Sequence, residues 1–212
     1  MQDLVDNIWV FFGLTVVISL SGVMTPGPVF AATIAKGFGD KTAGVKIALG
    51  HGLVEFPLMA LIVLSLGYFF QDPVVRMGIG LVGGALLIFL GASMILSTRT
   101  AAAEGQEMLP YGSVVTGAIT TSANPYFFFW WATVGLFLIM NAQQFGALVV
   151  VVFAVVHWSC DLAWYSLTAF TVFRTRHLWT PLVQKVVFVA CGLVMVVFGA
   201  YFIYGPATEL AR

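Results

Sequence analysis

Six apolar stretches, at 8–35, 44–70, 74–96, 113–140, 145–172 and 183–204, fill most of this 212-residue chain. Each is long enough to cross the hydrocarbon core of a bilayer as an α-helix. Nearly all the charge falls between them or at their ends: Lys36, Asp40, Lys41 and Lys46; Asp72 and Arg76; Arg99, Glu104 and Glu107; Arg174 and Arg176. Only 8% of the residues are charged and 60% are hydrophobic, against roughly 25% charged in a soluble domain. So few ionic groups cannot cover a soluble protein of this size. The stretches do not alternate apolar and polar residues, which argues against a β-barrel. The sequence predicts an all-α integral membrane protein of six transmembrane helices, surrounded by lipid and without a soluble domain.

The flank of the first stretch carries Asp3 and Asp6 where a secretory leader is basic, so that stretch is expected to remain as a helix. Cys160 and Cys191 lie inside apolar stretches and read as reduced thiols. A net charge of zero argues against nucleic acid as a partner. Lys36, Lys41, Lys46, Arg99, Arg174, Arg176 and Lys185 lie on the odd-numbered connections, with only Arg76 and Arg212 on the other face. Positive residues are retained on the cytoplasmic side, so the protein is expected in the cell's inner membrane with both termini outside.

The chain also repeats itself, with 1–98 resembling 113–212 across a cytoplasmic linker at 99–112. Thr25-Pro26-Gly27-Pro28 in the first stretch answers to Asn124-Pro125 in the fourth. His51-x-x-x-Glu55 answers to His157-x-x-x-Asp161, and Gly91-Ala92 to Gly199-Ala200. Three crossings is an odd number, so the second unit enters the membrane from the opposite side. Such 3+3 inverted repeats are the common architecture of secondary transporters, whose substrate site lies where the units meet.

Pro26 and Pro28 lack backbone donors and Gly27 adds freedom, so a regular helix is not expected there. Helices 1 and 4 are therefore predicted to be interrupted at their proline motifs. The half-helices starting after Pro28 and Pro125 would aim their amide ends at an anion such as a carboxylate. A proline kink that only shapes packing is the plainer alternative. Glu55 and Asp161 are the two acids well inside the stretches. A charged acid at mid-bilayer costs ~2.5–3.5 kcal/mol on insertion scales, so each needs a partner or a task. The spacing stacks His51 on Glu55 and His157 on Asp161. Each pair is either a local hydrogen bond or half of a site at the repeat interface. The aromatic run Tyr126-Phe-Phe-Phe-Trp130-Trp131 reads as lipid-facing or packing material rather than as a substrate cage.

At these residues the chain resembles the LysE/RhtB family of amino-acid exporters. The matching stretches are Thr25-Pro-Gly-Pro28 and the glycine-spaced run from Lys36-Gly-x-Gly through Gly44 to Gly50-x-Gly52. Gly91-Ala92 and Asn124-Pro-x-x-x-x-Trp130 also match. The resemblance implies a six-helix inner-membrane exporter of amino acids or similar small solutes, driven by an ion gradient, and it calls for no cofactor. It places Pro26, Gly27, Pro28, Asn124 and Pro125 at the family's motif positions. The paired His/acid motifs are richer in ligand groups than such an exporter requires.

The first reading is an alternating-access exporter. A substrate carboxylate would lie near Pro28 and Asn124, with Glu55 and Asp161 taking an ammonium group or a coupling proton. The alternative is a divalent-cation transporter with His51, Glu55, His157 and Asp161 as its metal ligands. An enzyme is not expected, since no His-Glu-x-x-His or Ser/His/Asp grouping is present. Association of like copies is left open. In a chain lacking Cys160 and Cys191, a cysteine at 143 or 144 should react with an impermeant thiol reagent from outside. One at 41 should not, and the reverse pattern would overturn the predicted orientation.

Overall fold

A computed structural model describes residues 7–64, 72–104 and 111–210. The end of the second predicted stretch, the acidic N-terminal flank and part of the 99–112 linker lie outside them. The described residues are helical and contain no strand: α1 (Ile8–Val23), α2 (Pro28–Gly37), α3 (Ala43–Val63), α4 (Pro73–Glu104), α5 (Ser113–Ser122) and α6 (Pro125–Trp130). A π-helical turn (Trp131–Gly135), α7 (Leu136–Gln144), α8 (Ala147–Thr175), a 3-10 turn (Arg176–Leu178) and α9 (Pro181–Leu210) follow.

Among the described residues, four helical runs are long and apolar enough to cross a membrane: Ala43–Val63, Pro125–Gln144, Ala147–Leu178 and Pro181–Tyr204. A fifth is obtained if α1 and α2, bent by 74° at their junction, are taken as one span. The fourth sequence stretch is divided. It stops at Ser122, resumes at Pro125 and runs to Gln144, because proline lacks an N–H and drives Asn124 into an extended conformation. α4 continues to Glu104, into the region expected as linker, where Ala101–Ala103 favour helix.

Polarity is arranged inside out. Leu148, Val197 and Tyr201 are exposed, while Thr15, Ser19, Thr121, His51, Glu55, His157 and Asp161 are buried. This suits lipid as solvent, where apolar surface is tolerated outside and ionisable groups face the bundle interior.

α3 lies between α5 and α8 at close range. A Cβ on Gly50 would run into the Val114 carbonyl oxygen of α5, and one on Gly44 into the Tyr165 carbonyl of α8. These contacts seat the helix that carries His51 and Glu55. The turn before α3 is held by Asp40, whose carboxylate accepts from the Thr42 N–H (2.8 Å) and hydroxyl (2.6 Å) and pairs with Lys46 (2.6 Å). The neighbouring Lys46 ammonium lowers the Asp40 carboxyl to about 2. The paired, ionised form is therefore kept as pH falls until that value is approached.

α4 and α9 form the most extensive helix pair. A Cβ on Gly84 would stand 2.7 Å from the Gly199 carbonyl oxygen, and one on Gly91 2.6 Å from that of Gly192. Lipid supplies no hydrophobic drive between helices, so such association rests on close backbone approach at small residues. Backbone cannot give way as a flexible side chain can. Gly91→Leu should therefore destabilise the protein in detergent by about 1–3 kcal/mol, read as a lowered melting temperature. Gly78→Leu, with nothing within 4 Å, should leave it unchanged.

Candidate functional site

His51 and Glu55 lie one turn apart on α3, and His157 and Asp161 one turn apart on α8. The two helices pack so that all four side chains are buried between them. Glu55 is 1% exposed, and its Oε1 is within hydrogen-bond distance of His51 Nε2 (3.1 Å), His157 Nε2 (3.2 Å) and Trp131 Nε1 (3.3 Å).

The two His/acid pairs are not equivalent. His51 bonds the acid of its own helix, whereas His157 crosses to Glu55 and stands 3.7 Å from Asp161 Oδ2, beyond hydrogen-bond reach. His51 Nε2 is 3.9 Å from Asp161 Oδ1. Glutamate is one methylene longer than aspartate, so Glu55 reaches both imidazoles and Asp161 reaches neither. Asp161 Oδ2 is left buried without a partner, as is Glu55 Oε2.

The outer imidazole nitrogens are held by two hydroxyls that carry no spacing signal in the sequence. His51 Nδ1 is 2.8 Å from Thr121 Oγ1 on α5, and His157 Nδ1 is 2.7 Å from Ser19 Oγ on α1. Thr121 donates its hydroxyl proton to the Gly117 carbonyl at 2.8 Å. Its oxygen therefore accepts His51 Nδ1–H.

The chain breaks at Met24–Gly27 and at Ala123–Asn124, and the two breaks meet. A Cβ on Gly27 would stand 4.0 Å from Asn124 Nδ2. Pro26 is exposed, while Pro28 and Pro125 are buried. Pro28 opens α2 at its first position, where its fixed φ suits a helix start. Since Pro28 has no N–H, the first-turn donors of α2 are those of Val29 and Phe30, and no side chain caps them. The start of α6 differs, because Asn124 Oδ1 accepts from the Tyr126 N–H at 3.1 Å.

The break and the His/acid cluster share one cavity of about 80 Å³, lined among others by Pro26, Gly27, Pro28, Asn124, His51, Glu55, His157 and Asp161. Pro125 lies outside the lining, its ring seated against Gly83 of α4.

Within the aromatic run, Phe127 and Trp131 are buried core residues, as packing material would be. Tyr126, Phe127, Trp130 and Trp131 also line the cavity. Trp131 donates to Glu55, and Trp130 stacks on His157 with ring centroids 5.2 Å apart. Successive residues on a regular helix point about 100° apart. The π-helical turn beginning at Trp131 alters that progression beside the cavity, and such turns cluster at functional sites. Gly135 is required there, because a Cβ would collide with the Trp131 ring.

A helical bundle that is apolar outside and polar around an interior cavity is a multi-pass membrane protein. Its family is shown by sequence. A family model described as LysE type translocator matches residues 20–205, and the chain belongs to that family. It is thus a membrane transport protein, in agreement with the resemblance read from Pro26-Gly27-Pro28 and Asn124-Pro125. No curated protein and no solved structure matches the chain. His51, Glu55 and Asp161 do offer ligand-type atoms within 4.8 Å of one another, but the family match gives the divalent-cation alternative no support.

Trp131→Phe keeps the ring and removes the N–H directed at Glu55. It should cost about 1–3 kcal/mol, measured by melting in detergent. Gly135→Ala should cost a similar amount by displacing the same ring, and the two changes combined should cost less than their sum.

Proposed function

We propose that the protein is a secondary-active exporter of amino acids or similar small solutes, working by alternating access and coupled to protons. The observation that carries this reading is the shared cavity, which joins an uncapped helix start to a buried carboxylate cluster. The first suits a carboxylate and the second an ammonium group or a proton.

Six crossings in a 3+3 inverted repeat are the proposed frame. The glycine seam supports it: an offset of 108 relates Gly84 to Gly192 and Gly91 to Gly199, the same four residues that meet across α4 and α9. The breaks at 24–27 and 123–124 are taken to lie at mid-membrane, with both termini outside in the inner membrane. Rocking of one unit against the other about the cavity would expose it alternately to the two sides. None of the proposed roles is enzymatic.

The hydrogen-bond pattern supports proton coupling. Glu55 Oε1 carries at most one proton yet faces two imidazoles and an indole N–H. His157 Nε2 stands 3.2 Å from it, while His157 Nδ1 is paired with the Ser19 hydroxyl at 2.7 Å. On the other side His51 Nδ1–H is committed to Thr121, so one proton is shared along the 3.1 Å line between His51 Nε2 and Glu55 Oε1. That proton shifts between carboxyl and imidazole without moving heavy atoms, and a change of access releases it to one side.

In proteoliposomes, an imposed pH gradient should drive amino-acid accumulation, and a protonophore should abolish it. Glu55→Gln and Asp161→Asn should each bring the rate down to that of protein-free vesicles while leaving the protein folded in membranes. If both variants transport at the wild-type rate with unchanged pH dependence, the cluster is structural and the mechanism fails.

A further inference from the structure

We infer that the cavity selects α-amino acids with a small, uncharged aliphatic side chain, and that Asp161 rather than Glu55 holds the substrate's ammonium group. This rests on the exporter reading and specifies its substrate. The two acids differ in what already surrounds them. Each acid keeps one buried oxygen without a partner, but Glu55 Oε1 has three nitrogen neighbours within 3.3 Å, whereas among the described residues Asp161 has no histidine nitrogen nearer than 3.7 Å to either oxygen. A buried carboxylate oxygen without a donor is destabilised until a cation reaches it. Asp161 lines the cavity and is 4% exposed.

The complementary anion receptor lies close by. Val29 packs against Tyr165, one turn beyond Asp161 on α8, so the α2 start adjoins that helix. The N–H groups of Val29 and Phe30, together with Asn124 Nδ2, are the donors available to a substrate carboxylate. The ammonium and carboxylate of one α-carbon thus have separate, opposed partners.

The rest of the wall decides the side chain. Phe30, Leu87, Met195 and Phe198 form its apolar part, from α2, α4 and α9. Among the described residues no Lys or Arg lines the cavity, and the acids lining it are Glu55 and Asp161. A lysine-like substrate would bring a second cation that could meet only Glu55, already bonded through Oε1 to three nitrogens, and a glutamate-like one a second anion with no cation. Desolvating an unpaired charge at such a site costs roughly 100-fold in affinity or more. The limited volume favours side chains of a few carbons over aromatic ones.

The test uses the purified full chain, with ligand-induced melting shifts and counterflow of radiolabelled leucine in proteoliposomes. Valine and leucine should stabilise the protein and compete. Lysine, glutamate and 4-methylpentanoate (leucine without its ammonium) should need roughly 100-fold more. In Asp161→Asn, leucine should lose its advantage over 4-methylpentanoate, a ratio that a merely structural residue would not move. Phe198→Asp should bring in lysine competition, and Phe198→Leu serves as the folding control. Competition by lysine or glutamate as strong as by leucine would overturn the proposed substrate class while leaving the exporter reading intact. An unchanged leucine ratio in Asp161→Asn would overturn the role of Asp161. Absence of binding by every amino acid would overturn both.

Discussion

The structure turns on one buried carboxylate. Glu55 Oε1 gathers His51, His157 and Trp131 from three different helical segments. A lone acid in a bilayer is expensive, and hydrogen bonds to nitrogen donors are what make it tolerable. Those donors must in turn be oriented, which brings in Thr121 from α5 and Ser19 from α1. The cluster therefore ties α1, α3, α5, α8 and the π turn to one point, and each depends on the backbone geometry of its neighbours.

Close backbone packing supplies that geometry. Gly44 and Gly50 let α3 sink against α8 and α5, which sets His51 beside Thr121 and Glu55 beside His157. Gly84, Gly91, Gly192 and Gly199 do the same for α4 against α9 and bring Leu87 and Met195 to the cavity wall. In lipid, where apolar side chains gain little from meeting one another, van der Waals contact at glycines carries the bundle. The polar network is held on that frame.

The breaks in the helices join this frame to chemistry. Pro28 gives up its own N–H and starts α2 without a side-chain cap, whereas Asn124 folds back to cap the helix after it. The two motifs look alike as proline signals but present different faces: one offers N–H groups and the other an amide side chain. Together with Asp161 Oδ2, that asymmetry gives the cavity lining two chemically different ends.

The class of protein was legible in the sequence. Apolar length, the charge-bearing gaps and the proline motifs are one-dimensional signals with direct physical meaning in a bilayer, and Pro26-Gly27-Pro28 with Asn124-Pro125 also carried the family likeness. His51, Glu55, His157 and Asp161 stood out because ionisable groups inside apolar stretches are costly. Their spacing suggested two matched pairs, but spacing records only which side chains share a helix face. That His157 abandons Asp161 for Glu55 depends on how α3 and α8 approach, and on the one methylene by which the two acids differ. Ser19 and Thr121 gave no signal, since a lone hydroxyl in an apolar helix can bond its own backbone. Trp131 was hidden in an aromatic run suited to lipid, and only the π-helical turn above Gly135 brings its N–H to the acid. Local chemistry fixes which residues need partners; tertiary packing decides which partners they receive.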